Sequence, residues 1–155
     1  MELITTENNQ NKTLSSSEKS NSLLIHLSSF ANLILPFGNI ILPLILWQTM
    51  KKDSEFIDYN GKEAVNFNIS FLLYNIIAIL VLIGSVLGTV FSGVSAESGN
   101  AEDIIPILFS TGGFIVTLVL LSVFTLVKIV LVIIASIKTN NGELHRYPLI
   151  IRFIK

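Results

Sequence analysis

The residues of this sequence best suited to chemistry are polar side chains set inside long apolar segments. Lys128 is the one charged residue between Ile104 and Ile137, and the preceding apolar segment contains Asn66 and Asn75. Polar and ionisable side chains are rare and costly at membrane depth, where they mark binding sites, ion paths or contacts between helices. These residues are therefore the first candidates for a function.

Lys128 requires a compensating environment, because an unpaired lysine at the centre of a spanning helix costs about 2.5–3.5 kcal/mol. Asn75 lies at nearly the same expected depth in the preceding segment, with Tyr74 beside it. We predict that Lys128 points toward the other helices and contacts Asn75 or Tyr74. The alternative is that its aliphatic stem runs along the helix and brings the ammonium group to the inner headgroups.

The sequence contains no pattern typical of an enzyme active site or a metal site. It has no cysteine, which excludes disulfides, thiolate ligands and a cysteine nucleophile. His26 and His145 are separated by most of the chain, and the carboxylates of Asp58 and Glu63 have no positioned nucleophile near them. We therefore predict a non-enzymatic protein with no catalytic residue, no cofactor and no metal.

The composition indicates which solvent surrounds these residues. Hydrophobic residues make up 51% of the chain and charged residues 14%, whereas a soluble domain carries about 25% charged residues. So few polar groups cannot cover the surface of a folded chain, and lipid is the expected solvent. The net charge of -1 provides no basic field for nucleic acid. The sequence thus predicts an all-α, polytopic membrane protein whose main partner is the bilayer.

Three apolar stretches define the predicted transmembrane helices, each long enough for the roughly 20 residues that a crossing needs. The predicted spans are about 23–48, 64–91 and 114–137. The first is broken at Pro36-Gly38 and forms either one kinked crossing, the preferred geometry, or a re-entrant hairpin. The third apolar stretch is too long for one straight crossing, so a break is predicted at Gly112-Gly113.

The remaining segments are predicted from their polarity. Residues 1–22 are rich in Asn, Ser, Thr and Glu and are predicted to be a disordered N-terminal tail, outside a membrane domain of residues 23–155. The C-terminal tail, 138–155, alternates apolar and basic residues, which predicts either an interfacial segment or a tail packed on the helices. Trp47, followed by two lysines, is typical of an aromatic anchor at the membrane interface.

The placement of charges predicts an orientation. Lysines and arginines lie in the loop after the first stretch and in the C-terminal tail, whereas the connection near Ser92–Asp103 carries only acidic residues. Basic residues mark the cytoplasmic side. The C-terminus is therefore expected in the cytoplasm, with the chain in a bacterial inner membrane. Three crossings would put the N-terminus outside, and a re-entrant first stretch would put it inside.

Two patches of sequence resemble a known family. They are Trp47–Phe67 (WQTMKKDSEFIDYNGKEAVNF) and Ile134–Pro148 (IASIKTNNGELHRYP), supported by Ile25–Ser28 and Pro43-Leu44. Together they resemble the Tic-twenty-like family of small bacterial membrane proteins of uncharacterised function. That family is distantly similar to a component of the chloroplast inner-envelope protein import machinery. The resemblance covers about residues 23–155.

The resemblance implies a bundle of three or four membrane helices and an interaction surface at the inner face, and it implies no catalytic residue. The matching residues are Trp47, Asp58, Lys62, Asn66, Gly142, Arg146, Tyr147 and Pro148. The first hypothesis is a membrane subunit or accessory protein linked to protein translocation or insertion, with a protein partner or self-association. The second is a small oligomeric transporter or channel-like protein that uses Lys128 and the Asn68–Asn75 face.

Overall fold

The computed structural model describes residues 14–95 and 101–155, and the regular secondary structure of these two ranges is entirely helical, with no β-strand. The prediction of an all-α fold is confirmed. The elements are α1 (Ser16–Leu27), a 3-10 helix (Ser28–Leu33), α2 (Gly38–Met50), α3 (Glu55–Ser95) and α4 (Ala101–Asn140).

Helix α1 begins at Ser16, inside the segment that was predicted as a tail. The Ser15 hydroxyl accepts a hydrogen bond from the Glu18 amide, and the Glu18 carboxylate accepts one from the Ser15 amide. This reciprocal capping satisfies two amides at the start of the helix. The capping pair therefore offsets the low apolar content of the first turn. Residues 1–13 lie outside the described residues, and the division at residue 22 stays a prediction.

The first apolar stretch folds back on itself. Its two α-helices have 12 and 13 residues, about 18–20 Å each, and are too short to cross a hydrocarbon core of about 30 Å. The turn between them contains Phe37, whose φ of 60° is left-handed. Gly38 then packs so closely on the Ala31 carbonyl that a Cβ would lie 2.5 Å from its oxygen. The geometry is the hairpin, not the kinked crossing.

Helices α3 and α4 are long enough and apolar enough to cross a membrane, over Glu55–Val94 and Ile104–Asn140. The prediction of three spans is therefore wrong, because two helices of the described chain qualify. Only 11% of the most apolar window of each helix is buried in the protein. A core helix of a soluble protein would be mostly buried, so these outward-facing apolar side chains are suited to lipid.

The predicted break at Gly112-Gly113 is wrong, because α4 continues through both glycines. A glycine within a helix costs only about 1 kcal/mol relative to alanine, which a long apolar helix tolerates. Gly113 also has a packing reason, since a Cβ there would lie 3.2 Å from the Ser85 hydroxyl oxygen. The glycine thus permits close approach of α3 rather than ending α4.

The chain divides into two compact units. The first unit comprises the chain up to Asn68 together with Leu131–Lys155, and the second unit is Ile69–Val130. The first unit has the better developed core, with Ile25, Ile57, Val65, Phe67 and Val132 fully buried. The described residues of the second unit form two helical segments with largely exposed apolar side chains.

Candidate functional site

The first unit encloses a group of buried polar side chains, called here the His26 cluster. It consists of His26 from α1, Asn60 and Glu63 from α3, Thr139 from α4 and Tyr147 from the C-terminal segment. Each is less than 9% exposed. Buried polar groups are costly unless they are hydrogen-bonded, so the bonds within the cluster decide whether it is stable.

The hydrogen bonds of the cluster assign a donor or acceptor role to each polar atom. The Asn60 Nδ2 donates to the Phe56 carbonyl at 2.9 Å, which identifies its Oδ1 as an acceptor. That oxygen accepts from the Thr139 hydroxyl and from His26 Nε2, both at 3.2 Å. His26 Nε2 therefore carries the proton, and His26 Nδ1 accepts from the Tyr147 hydroxyl at 3.1 Å. His26 is thus a neutral imidazole held in one tautomer.

The electrostatics keep His26, Tyr147 and the neighbouring His145 uncharged at neutral pH. Burial lowers the pKa of His26 to about 4; the Asn60 hydrogen bond opposes this shift, and the neighbouring His145 adds to it. Burial and the Glu63 carboxylate both raise the pKa of the Tyr147 phenol. Burial and Lys138 lower the pKa of His145. Both histidines and Tyr147 are therefore neutral at pH 7.

The network also fastens the C-terminal segment to α3. The Glu63 carboxylate accepts from the Tyr147 amide at 3.0 Å and from Arg152 Nη2 at 3.0 Å. The Asn66 Oδ1 accepts from the amides of Phe153 and Ile154, and its Nδ2 donates to the Ile154 carbonyl at 2.8 Å. The segment after α4 is thus packed on α3 within the first unit. A tail packed on the helices was one of the two predicted alternatives.

A smaller group of polar residues joins α2 to the start of α3. Trp47 is 4% exposed, and its indole Nε1 donates to Asp58 at 2.9 Å. Asp58 also pairs with Lys62 at 2.6 Å. A Cβ at Gly61 would lie 2.2 Å from the Trp47 ring, so only glycine fits under the indole. Trp47 is therefore a packed core residue, which differs from the lipid-facing anchor that its position predicted.

The His26 cluster is built to hold segments together. His26 has no exposed surface, so no substrate reaches its imidazole. Across the described residues, no three His, Asp or Glu side chains are grouped to hold a metal ion. In the same part of the chain, three buried polar atoms lack a hydrogen-bond partner: Ser22 Oγ, Asn68 Oδ1 and His145 Nε2. The arrangement therefore supports a structural role, in which hydrogen bonds hold α1, α3, α4 and the C-terminal segment together.

The second unit contains the other predicted residues. The Lys128 ammonium lies 6.0 Å from the centre of the Phe71 ring, a cation–π distance. Phe71 forms edge contacts with Tyr74 and Phe124, at centroid distances of 6.2 Å each. The Asn75 Nδ2 donates to the Phe71 carbonyl at 2.8 Å. Tyr74, Asn75 and Phe124 also line an apolar cavity of about 280 Å³.

The structure places the nine predicted site residues in several locations. Trp47, Asp58 and Lys62 form one group. Asn66 binds the C-terminal segment, and Tyr147 belongs to that segment and binds Glu63. Arg146 and Pro148 are exposed on either side of Tyr147. Asn75 and Lys128 belong to the second unit.

Sequence reasoning missed His26, Asn60, Thr139 and Arg152 as partners of these residues. A signal for Asn60 was present, because Asn60, Glu63, Ala64, Phe67 and Asn68 share one helical face at steps of three and four. The predicted polar face was instead Asn68–Asn75, which begins about two turns later. His26, Thr139 and Arg152 are distant in sequence, and no local spacing connects them with that face.

The model of the magnetosome magnetite crystal formation protein family, MamF/MmsF, matches residues 17–154. The chain belongs to this family. No curated protein and no solved structure matches this chain.

Membership of the MamF/MmsF family corrects the resemblance drawn from the sequence. The matching family is not the Tic-twenty-like family, and no relationship to that family or to protein import is found. The two patches contain many residues that pack the first unit, such as Trp47, Gly61 and Tyr147. Their pattern therefore reflects how a helical membrane domain is packed. Together, the family and the two long apolar helices give a membrane localisation.

Proposed function

We propose that this chain is a non-enzymatic protein of the magnetosome membrane that acts in magnetite crystal formation. The observation that carries this proposal is the family match, which begins in α1 and includes both long apolar helices and the C-terminal segment. The match therefore covers the membrane-suited helices and the His26 cluster together. The earlier hypothesis of a role in protein translocation or insertion has no support.

The proposal includes a topology with two crossings, α3 and α4. The hairpin of the first unit enters the bilayer from the cytoplasmic face and returns to it. Its tip supports this, since Leu33, Ile34 and Phe37 are 86%, 90% and 59% exposed and would be poorly placed in water. Both chain ends, with most of the basic residues, then lie in the cytoplasm of a bacterial cell.

With this topology, the connection between α3 and α4 faces the compartment in which the mineral grows. Together with the first turn of α4, this acidic connection carries Glu97, Glu102 and Asp103. Carboxylate oxygens are hard ligands that suit hard metal cations, including those of iron. We propose that this acidic connection is how the protein influences crystal growth.

The test measures magnetite crystals in cells that lack their own members of the family. Electron microscopy would compare cells without the chain, with the chain, and with the Glu97→Gln, Glu102→Gln, Asp103→Asn triple variant. We expect the chain to increase crystal size and the triple variant to lose most of that increase. The control is Asp53→Asn with Glu55→Gln, which removes exposed acids from the other side of the membrane.

In that control, crystals should keep the size seen with the unmodified chain. Crystals of equal size with and without the unmodified chain, at matched membrane levels of protein, would contradict the proposed function. Equal effects of the triple and control variants would contradict the role of the acidic connection alone.

The non-enzymatic part of the proposal is supported by the burial of both histidines. His145 tests it best, because its Nε2 has no hydrogen-bond partner to lose. A His145→Asn variant present at normal levels should support crystals of normal size. If His145 were catalytic, the variant would lose the effect of the chain on crystal size.

A second candidate is a small oligomeric transporter or channel-like protein. Lys128 favours it, since an ionisable residue within a spanning helix is a feature of transport paths. Flux of iron or other ions into proteoliposomes would test it. Flux that requires Lys128 would support transport, and vesicles as tight as protein-free ones would exclude it.

A further inference from the structure

Lys128 lies beside an apolar cavity in the second unit, and none of the functions above uses that combination. The cavity has a volume of about 280 Å³ and is lined by successive turns of α3 and α4. Its lining residues are Tyr74, Asn75, Ile77, Ala78, Val81, Thr117, Leu120, Leu121 and Phe124. Its size is at the small end of ligand pockets and suits a single hydrocarbon chain better than a bulky ligand.

The charge of Lys128 is not neutralised within the described chain. Neither ion pair in the described residues includes it, and its ammonium group lies 6.0 Å from the centre of the Phe71 ring. A cation–π contact leaves the charge in place, so an anionic group would be a favourable neighbour. The group expected to pair with Lys128 is therefore an anion.

The position of Lys128 along α4 identifies where that anion would lie. The segment from Ile104 to Val127 has no charged residue and is about 36 Å long, slightly more than the hydrocarbon core. If α4 enters the core near Ile104, Lys128 reaches the inner headgroups. On α3, the segment from Tyr74 to Val94 likewise covers about 30 Å. The ammonium group is thus placed at headgroup level rather than at the bilayer centre.

The cavity runs from near Lys128 toward the hydrocarbon core. Its end nearest Lys128 is formed by Tyr74 and Phe124, which belong to the aromatic group around Phe71. Its other end, at Val81 and Thr117, lies two turns deeper along the helices. A lipid whose headgroup is at Lys128 would therefore extend its acyl chain into the cavity in the direction of the hydrocarbon core.

We propose that Lys128 and this cavity form a binding site for one anionic phospholipid of the inner leaflet. The phosphate pairs with the ammonium group, and an acyl chain fills the cavity. Basic residues between membrane helices on the cytoplasmic side bind anionic headgroups in this manner. The inference rests on the topology given with the proposed function, because that topology puts Lys128 on the cytoplasmic side.

Native mass spectrometry of the full chain in detergent micelles that contain phosphatidylglycerol and phosphatidylcholine tests the site without reference to crystals or sidedness. The unmodified chain should retain one phosphatidylglycerol in preference to phosphatidylcholine. Lys128→Gln should lower that preference about fivefold, and Lys128→Arg should restore it. Ala78→Phe, which fills the cavity and keeps the charge, should lower retention of both lipids.

Two variants serve as matched controls. Lys138→Gln removes an exposed charge from the same helix, and Val127→Phe adds a ring at an exposed position outside the cavity lining. Both should retain phosphatidylglycerol like the unmodified chain. Equal retention by Lys128→Gln and the unmodified chain would overturn the proposal. Lipid-free dimers disrupted by Ala78→Phe would also overturn it, because a second copy would then occupy this face.

These outcomes are separate from those of the crystal experiment. A chain that binds phosphatidylglycerol through Lys128 without affecting crystals would contradict only the proposed function. A chain that enlarges crystals and shows no lipid preference would contradict only the site.

Discussion

Tyr147 connects the C-terminal segment to the helices through contacts of three kinds. Its hydroxyl donates to His26, its ring stacks on Phe67 at a centroid distance of 3.9 Å, and its amide donates to Glu63. The stacking and the amide bond do not need the hydroxyl. The contribution of the His26 hydrogen bond can therefore be isolated by removing one oxygen atom.

Tyr147→Phe should lower stability by about 1–3 kcal/mol, because it leaves His26 Nδ1 buried without a donor. The measurement is thermal unfolding of the purified protein in detergent. Tyr59→Phe is the control, since Tyr59 is a half-buried tyrosine of α3 outside the His26 cluster. Equal unfolding temperatures for Tyr147→Phe and the unmodified chain would show that the hydroxyl bond contributes nothing.

The neutral state of His26 gives stability a defined pH dependence. The pKa of His26 in the folded chain is about 4, below its ordinary value of 6.5, so the unfolded chain binds the proton more readily. The contribution is complete above pH 6.5 and is lost as the pH falls toward 4, by about 1.4 kcal/mol per unit at most. His145, whose pKa is also lowered, contributes in the same direction.

Unfolding temperatures measured from pH 7.5 to pH 4 would show this dependence. His26→Gln should flatten the curve between pH 6.5 and 4, and the remaining slope should come from His145 and the carboxylates. An unchanged slope in His26→Gln would mean that His26 is not the buried neutral group described above.

At the scale of elements, the two long helices could be predicted from the sequence because their apolar runs need no partner to identify them. Helix type and the irregularity at Pro36-Gly38 were equally local signals. The choice between a kinked crossing and a hairpin was not local, since it depends on Gly38 packing against Ala31. Gly112-Gly113 misled the prediction for a similar reason, because glycine marks close packing as well as helix ends.

The glycines of α3 provide a matched pair of substitutions. Gly61→Ala would force its Cβ into the Trp47 ring and should destabilise the protein by about 1–3 kcal/mol. Gly84→Ala meets nothing within 4 Å and should be neutral or stabilise by up to about 1 kcal/mol. Thermal unfolding of both variants in detergent checks the pair. Similar losses at both positions would contradict the packing of α2 on α3.

At the scale of the whole molecule, composition was sufficient to predict a membrane protein, but local patterns were not sufficient to predict its family. The patches around Trp47 and Tyr147 are conspicuous because bulky and small residues alternate with polar ones. The structure shows that such residues pack the first unit through contacts as distant as His26 with Tyr147. Packing of this kind constrains a fold, and a function has to be argued from other observations.

The central claim is that α3 and α4 cross the membrane while the hairpin does not, so that both ends share the cytoplasmic face. Because the chain has no cysteine, single-cysteine variants can be labelled without background. On intact isolated magnetosomes, a membrane-impermeant maleimide should label Ser20→Cys and Arg146→Cys, and should label Glu97→Cys only after detergent is added. Labelling of Ser20→Cys together with Glu97→Cys, or of Glu97→Cys together with Arg146→Cys before detergent, would contradict the claim.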